Sequence, residues 1–93
     1  PPHTHVEPEI YFYKFLPENG YGYAEVGDTV YKVHHNDATC MAHGVTHSQA
    51  TAPGYAEYYI WAIRLRDNDP MVTTVVPEHA WVAEKDAKYF PEI

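Results

Sequence analysis

His3-Thr4-His5-Val6-Glu7-Pro8-Glu9, at the amino end, and Gly44-Val45-Thr46-His47, near mid-chain, decide how this chain must fold. Side chains on a strand alternate between its faces, so His3 and His5 project their imidazoles to one side. Glu9 joins that face only if the strand bends or bulges after His5. His47 must come from a separate strand, because one strand cannot surround an ion with four ligands. Bringing the two segments together requires a closed or nearly closed sheet. His3, His5, Glu9 and His47 are therefore the expected metal ligands. Three imidazoles and a carboxylate suit Zn²⁺, Fe²⁺, Mn²⁺ or Ni²⁺.

The rest of the chain reads as short strands punctuated by turns. Glu9-Ile10-Tyr11-Phe12-Tyr13-Lys14-Phe15 alternates, with Glu9, Tyr11, Tyr13 and Phe15 on one face and Ile10, Phe12 and Lys14 on the other. Pro17-Glu18-Asn19-Gly20 turns the chain into a strand over Tyr21 to Glu25, and Gly27-Asp28 turns it into another over Thr29 to His34. Asn36-Asp37 leads to Ala38 to Ala42, then to the Gly44 corner. Tyr55 to Ile63 is apolar on both faces and is expected to be the central buried strand. Met71 to Val76 is expected to be a further strand. Pro77 to Lys88 reads as one or two helical turns, or an irregular tail packed by Trp81. Six strands at this spacing predict an all-β barrel or sandwich, with residues 1–93 forming one domain.

Composition narrows the partners. Nine Tyr, three Phe and two Trp in 93 residues indicate a packed core, one that a chain this short stabilises more easily with a metal or a second subunit. The formal charge of −7, with only six Lys and Arg, argues against nucleic acid. No segment is long and apolar enough to span a membrane, so no membrane partner is expected. Cys40 has no second cysteine to pair with, which fits a reducing, cytoplasmic setting. The chain opens on Pro1-Pro2 without a methionine and reads as a processed or excised product. A short, tyrosine-rich barrel has strand edges to cover, and a homodimer or higher homo-oligomer is expected to cover them.

His3-x-His5-x-x-x-Glu9 resembles the first motif of the cupin barrels, and Asn36 through His47 resembles the second. Ala42 stands where that motif usually has proline, and Asn36 where it has its leading glycine. Glu9-Ile10-Tyr11-Phe12-Tyr13, Ala52-Pro53-Gly54-Tyr55, Tyr58-Tyr59 and Pro77-Glu78-His79-Ala80-Trp81-Val82 narrow the resemblance. They are similar to the 5-deoxyglucuronate isomerase family of inositol catabolism and to the related 5-keto-4-deoxyuronate isomerase family. The similarity runs nearly end to end and corresponds to the C-terminal, metal-bearing half of longer members. It implies a single cupin-type β-barrel (a jelly roll), zinc as the metal, and a sugar or sugar acid as the small-molecule partner.

The resemblance also implies a reaction: aldose–ketose interconversion of a deoxyuronate through an enediol(ate), with the cation stabilising charge on oxygen. Candidate catalytic residues are Glu9, Tyr11 and Tyr13, which share a strand face, and His43, beside the second motif. Tyr59, Trp61 and Arg64 are candidate substrate-binding residues, the arginine as partner for a carboxylate. His34, His35 and His79 are expected to be solvated or structural. Two rival readings use the same cage: a mononuclear iron dioxygenase, and a small sugar-binding cupin without catalysis.

Overall fold

The computed structural model describes residues 1–91; residues 92 and 93, the end of the expected domain, lie outside it. Among the described residues eight strands form two antiparallel sheets. They are β1 (His3–Thr4), β2 (Glu9–Leu16), β3 (Tyr21–Val26), β4 (Thr29–His34), β5 (Ala38–Met41), β6 (His47–Thr51), β7 (Ala56–Ile63) and β8 (Thr74–Val75). One sheet has the order β4-β3-β6-β1-β8 and the other β5-β2-β7. The fold is all-β, as expected. The two sheets stay distinct rather than closing into one continuous barrel.

The alternation of β2 builds the interior. Glu9, Tyr11, Tyr13 and Phe15 are buried, while Ile10, Phe12, Lys14 and Leu16 face out. The three aromatics pack with Ala24 of β3, Val33 of β4 and Met41 of β5, and Val26 and Val45 close the cluster. Each aromatic ring removes a large apolar area from water, so this short strand supplies most of the core.

Three expectations need correction. The long apolar run over Tyr55 to Ile63 is not the central buried strand: β7 is an edge strand, and β2 lies between β5 and β7. Tyr58, Ile60 and Trp61 remain largely exposed. An apolar pattern on both faces reports what the faces are made of, not whether anything covers them. The expected strand over Met71 to Val76 shrinks to Thr74–Val75, which pairs with β1. In the tail, Pro77–Ala83 forms a 3-10 helix, the first of the two forms expected there, and Trp81 packs edge-on against Tyr89. His34 is solvated as expected, but His35 is partly buried, and its Nδ1 accepts a hydrogen bond from the Phe15 amide at 2.9 Å.

Asn36 explains one departure from the cupin motif. It takes φ 69°, the left-handed region that glycine enters freely and asparagine tolerates better than most residues. Asn36 thus takes a turn conformation that a glycine would also allow.

Gly22 lets β3 and β6 come close. A Cβ there would sit 2.5 Å from the Ala50 carbonyl oxygen, backbone that cannot swing away. Gly22→Ala is expected to destabilise the fold by about 1–3 kcal/mol or more, as overpacking does. Thermal or urea denaturation measures this, and an unchanged midpoint would contradict the close approach.

Candidate metal centre

Each sheet delivers part of the candidate site. His3 on β1 lies directly opposite His47 on β6, so these two rings come from neighbouring strands of the five-stranded sheet. The chain then bends at Val6-Glu7 and crosses to the other sheet, where Glu9 begins β2. That bend meets the requirement set by the His5-to-Glu9 spacing. The Thr4 hydroxyl donates to the Gly44 carbonyl at 2.8 Å, tying the first ligand segment to the corner before His47. Gly44 itself takes φ 71° in that corner.

The three imidazoles converge. Ring centroids lie 4.5 Å apart for His3 and His47, 5.0 Å for His5 and His47, and 5.9 Å for His3 and His5. One nitrogen from each ring falls within 4.8 Å of the others. Glu9 reaches the same point from the opposite sheet. Its Oε2 lies 3.1 Å from His5 Nε2, and its Oε1 lies 3.3 Å from His47 Nε2. His5, Glu9 and His47 are all buried.

Hydrogen bonds fix which nitrogen of each ring faces inward. His3 Nδ1 lies 3.0 Å from the Pro1 carbonyl, His5 Nδ1 2.9 Å from that of Glu7, and His47 Nδ1 2.9 Å from that of Val45. A carbonyl oxygen can only accept, so each Nδ1 carries a proton, and a ring that holds only that proton presents an Nε2 lone pair. Backbone carbonyls orient metal-binding histidines in this way. His5 Nε2, His47 Nε2 and Glu9 Oε1 are buried without a hydrogen-bond partner. Buried acceptors crowded together repel one another unless a cation lies among them. The donor set fits a divalent metal.

The other candidates divide between two clefts. His3, Tyr11 and Tyr59 line one of about 260 Å³, together with Pro1, Pro2, Ser48 and Gln49. Tyr11 is buried between Glu9 and Tyr13. Its phenol is pushed above the usual range, first by burial and then by hydrogen bonding to Glu9. His43 and Arg64 line a separate cleft of about 230 Å³ with Glu7, Arg66 and Asp69. Trp61 lies opposite Tyr11 on β7 and is about half exposed. Tyr13 is fully buried, and its hydroxyl bonds Thr39 Oγ1 at 2.7 Å and Gln49 Oε1 at 2.6 Å. Sequence reasoning passed over Gln49. Its signal was parity: two residues after His47 on the same strand, it faces the same side.

With this geometry in view, a family comparison is decisive: the KduI/IolB family matches residues 1–82. The chain belongs to the KduI/IolB family. This is the family of the 5-keto-4-deoxyuronate isomerases, and placement among the cupins is consistent with it. Membership suggests a sugar isomerase of the uronate isomerase type, and such an enzyme would act on a sugar acid. KduI family isomerases are metal-dependent, and the His3, His5 and His47 group could bind a metal. Comparison with curated proteins and with solved structures gave no significant match. Among the described residues no helix is long and apolar enough to cross a membrane.

Farther along the same interior, Glu57 of β7 lies opposite Phe15. Its Oε1 is buried without a partner, and burial raises its carboxyl above the usual range. A carboxyl raised in the fold holds its proton there more tightly than in the unfolded chain. Stability therefore falls as pH rises from the unfolded carboxyl range through the folded one. Glu57→Gln is expected to raise the melting midpoint at about pH 7, with the gain shrinking towards about pH 4. Denaturation scans at both pH values test this, and a gain that grows on acidification would reverse the assignment.

Proposed function

We propose that this chain forms, as one domain, a metal-dependent isomerase of a deoxyuronate-type sugar acid, with His3, His5, Glu9 and His47 as ligands. The observation that carries the reading is the shared pinning of three imidazoles. The Nε2 atoms of His5 and His47 and Glu9 Oε1 are left crowded and buried without partners, with His3 partly exposed beside them. Zinc is the proposed ion, since a borderline cation takes both imidazole and carboxylate ligands. When bound, a divalent cation supplies Lewis-acid stabilisation for the charge that develops on oxygen as an enediol(ate) forms.

The protein's own groups do the rest. Glu9 has both oxygens directed at imidazole nitrogens, which suits a ligand better than a mobile base. Tyr11 lines the cleft beside His3 and keeps its proton at neutral pH because burial disfavours the phenolate. Its hydrogen bond to Glu9 holds that proton at the ligand carboxylate, so Tyr11 orients Glu9 and its oxygen can accept a hydrogen bond from a substrate hydroxyl. Tyr59 packs against Tyr11, with ring centroids 5.3 Å apart, and walls the cleft. His43 and Arg64, on the other cleft, stay outside this reacting centre.

His47→Ala is expected to lower bound metal to well below one ion per chain. It should also reduce turnover of 5-keto-4-deoxyuronate by at least about a hundredfold, the scale on which a lost Lewis acid is felt. Metal analysis and a coupled isomerase assay read both quantities. Retained isomerase activity in a metal-free variant would refute the mechanism.

We further propose that two copies associate through the outer face of the three-stranded sheet in a cytoplasmic homo-oligomer. Ile10, Phe12 and Leu16 of β2 lie beside Tyr58 and Ile60 of β7, all substantially exposed. Lys14 is the one charged residue on this outer face of β2 and β7, since Glu9 and Glu57 lie on the inner face, although the chain carries −7 overall. Such a patch covers several hundred Å², more than scattered surface residues would, and doubling it across a two-fold axis reaches roughly the 1,200 Å² of a standard interface. Ile10→Glu combined with Ile60→Glu is expected to yield monomers in light scattering, with the far-UV spectrum unchanged. A wild-type protein that is monomeric at micromolar concentration would exclude this interface.

A further inference from the structure

We infer that Gln49 orients the substrate, its side-chain NH2 donating to the carboxylate of the bound sugar acid, with Tyr13 and Thr39 as positioning residues. The inference rests on the sugar-acid reading above and adds to it the group that recognises the acid. Gln49 shares the inner face of β6 with His47 and lines the cleft that holds His3, Tyr11 and Tyr59.

The hydrogen bonds around Gln49 run in one direction. Tyr13 has a single hydroxyl proton, and Gln49 Oε1 can only accept. The Tyr13 proton therefore goes to Gln49, and the Thr39 hydroxyl donates in turn to the Tyr13 oxygen. This chain of donors fixes the Gln49 rotamer and satisfies its carbonyl. What remains is the NH2 group, and Nε2 is buried with no partner. A buried donor left unpaired is costly, and such groups are explained where a ligand supplies the missing acceptor.

The composition of the cleft selects the acceptor. Among the described residues no lysine or arginine lines it, so beside the cation the cleft offers the anionic end of a sugar acid neutral side-chain donors. The Ser48 hydroxyl already donates to Glu25 Oε1 at 3.1 Å, and the His3 Nδ1 proton is held by the Pro1 carbonyl. The Tyr11 proton goes to Glu9, which leaves Gln49 and the Tyr59 hydroxyl as the side-chain donors on the cleft, and of these Gln49 is the one buried without a partner. A site built to hydrogen-bond a particular group discriminates strongly against ligands that lack it.

Calorimetric titration of the zinc-supplied protein with glucuronate, and with glucose as the analogue lacking the carboxylate, tests this. Gln49→Ala is expected to weaken glucuronate binding by about 10- to 100-fold, the worth of one hydrogen bond to a charged oxygen, with glucose binding unchanged. Gln49→Glu keeps the shape, removes the donor and sets a carboxylate against the ligand's own, so it should weaken glucuronate at least as much. Tyr13→Phe releases the amide from its fixed rotamer and should weaken glucuronate several-fold with metal content intact. Glucuronate affinity retained in both Gln49 variants would overturn the role of Gln49 alone. Equal loss of glucuronate and glucose would overturn it too, by showing a structural effect. Failure of the wild-type protein to bind glucuronate would remove the sugar-acid reading, and this inference with it.

Discussion

Three imidazoles, each tied through Nδ1 to the carbonyl of a residue two positions away, hold their Nε2 lone pairs towards one another and towards a buried carboxylate. Left alone, that arrangement opposes folding, because crowded acceptors lose water and gain nothing in return. It persists because the local backbone dictates it. A ring held by a carbonyl on its own segment turns the same nitrogen inward whether or not a partner is present. The inward direction of each ring is thus set by its own segment. On the proposed reading, an ion bound there would relieve the folded state specifically and add to its stability by mass action.

One strand links this centre to the core. Along β2 the buried side chains run from the Glu9 ligand, through Tyr11 in the cleft and Tyr13 in the hydrogen-bonded chain, to Phe15 in the apolar cluster. A register slip of one residue would turn all four outward together. The site and the core therefore cannot vary independently, and packing around Phe15 and Val33 helps set where Glu9 lies. The β2 pairings with β5 and β7 on both sides hold that register.

Much of this was legible because period-two alternation and ligand spacing are local signals. The face assignment of Glu9 to Phe15, the need for a bend before Glu9, and the arrival of His47 from another strand all follow from backbone geometry. The meeting of the rings in space was inferred from ligand chemistry, and the fold supplies it. β7 was misread because an apolar run does not state what covers it; neighbours do, and they are distant in sequence. β8 is short for a related reason. Its two residues pair with β1, and nothing in Met71 to Val76 marks where that pairing stops. Gln49 escaped notice since a lone glutamine carries no motif. Its meaning comes from Tyr13 and Thr39, which lie on two other strands.

The placement of charge suggests how metal and ligand would depend on one another. On the proposed reading an anionic sugar enters a cleft with no cationic side chain, on a chain whose formal charge is −7. Without a divalent cation, Glu9 would stand as an uncompensated charge near the cleft and oppose the ligand's approach. With one, three neutral imidazoles and one carboxylate leave a net positive centre, and the sign of the local field reverses. Gln49 then needs to supply only direction, because the charge is supplied beside it. An arginine in its place would bind anions indiscriminately and would repel the cation from its ligands. A neutral amide avoids both effects and couples the two binding events: the ion raises affinity for the acid, and by linkage the acid raises affinity for the ion.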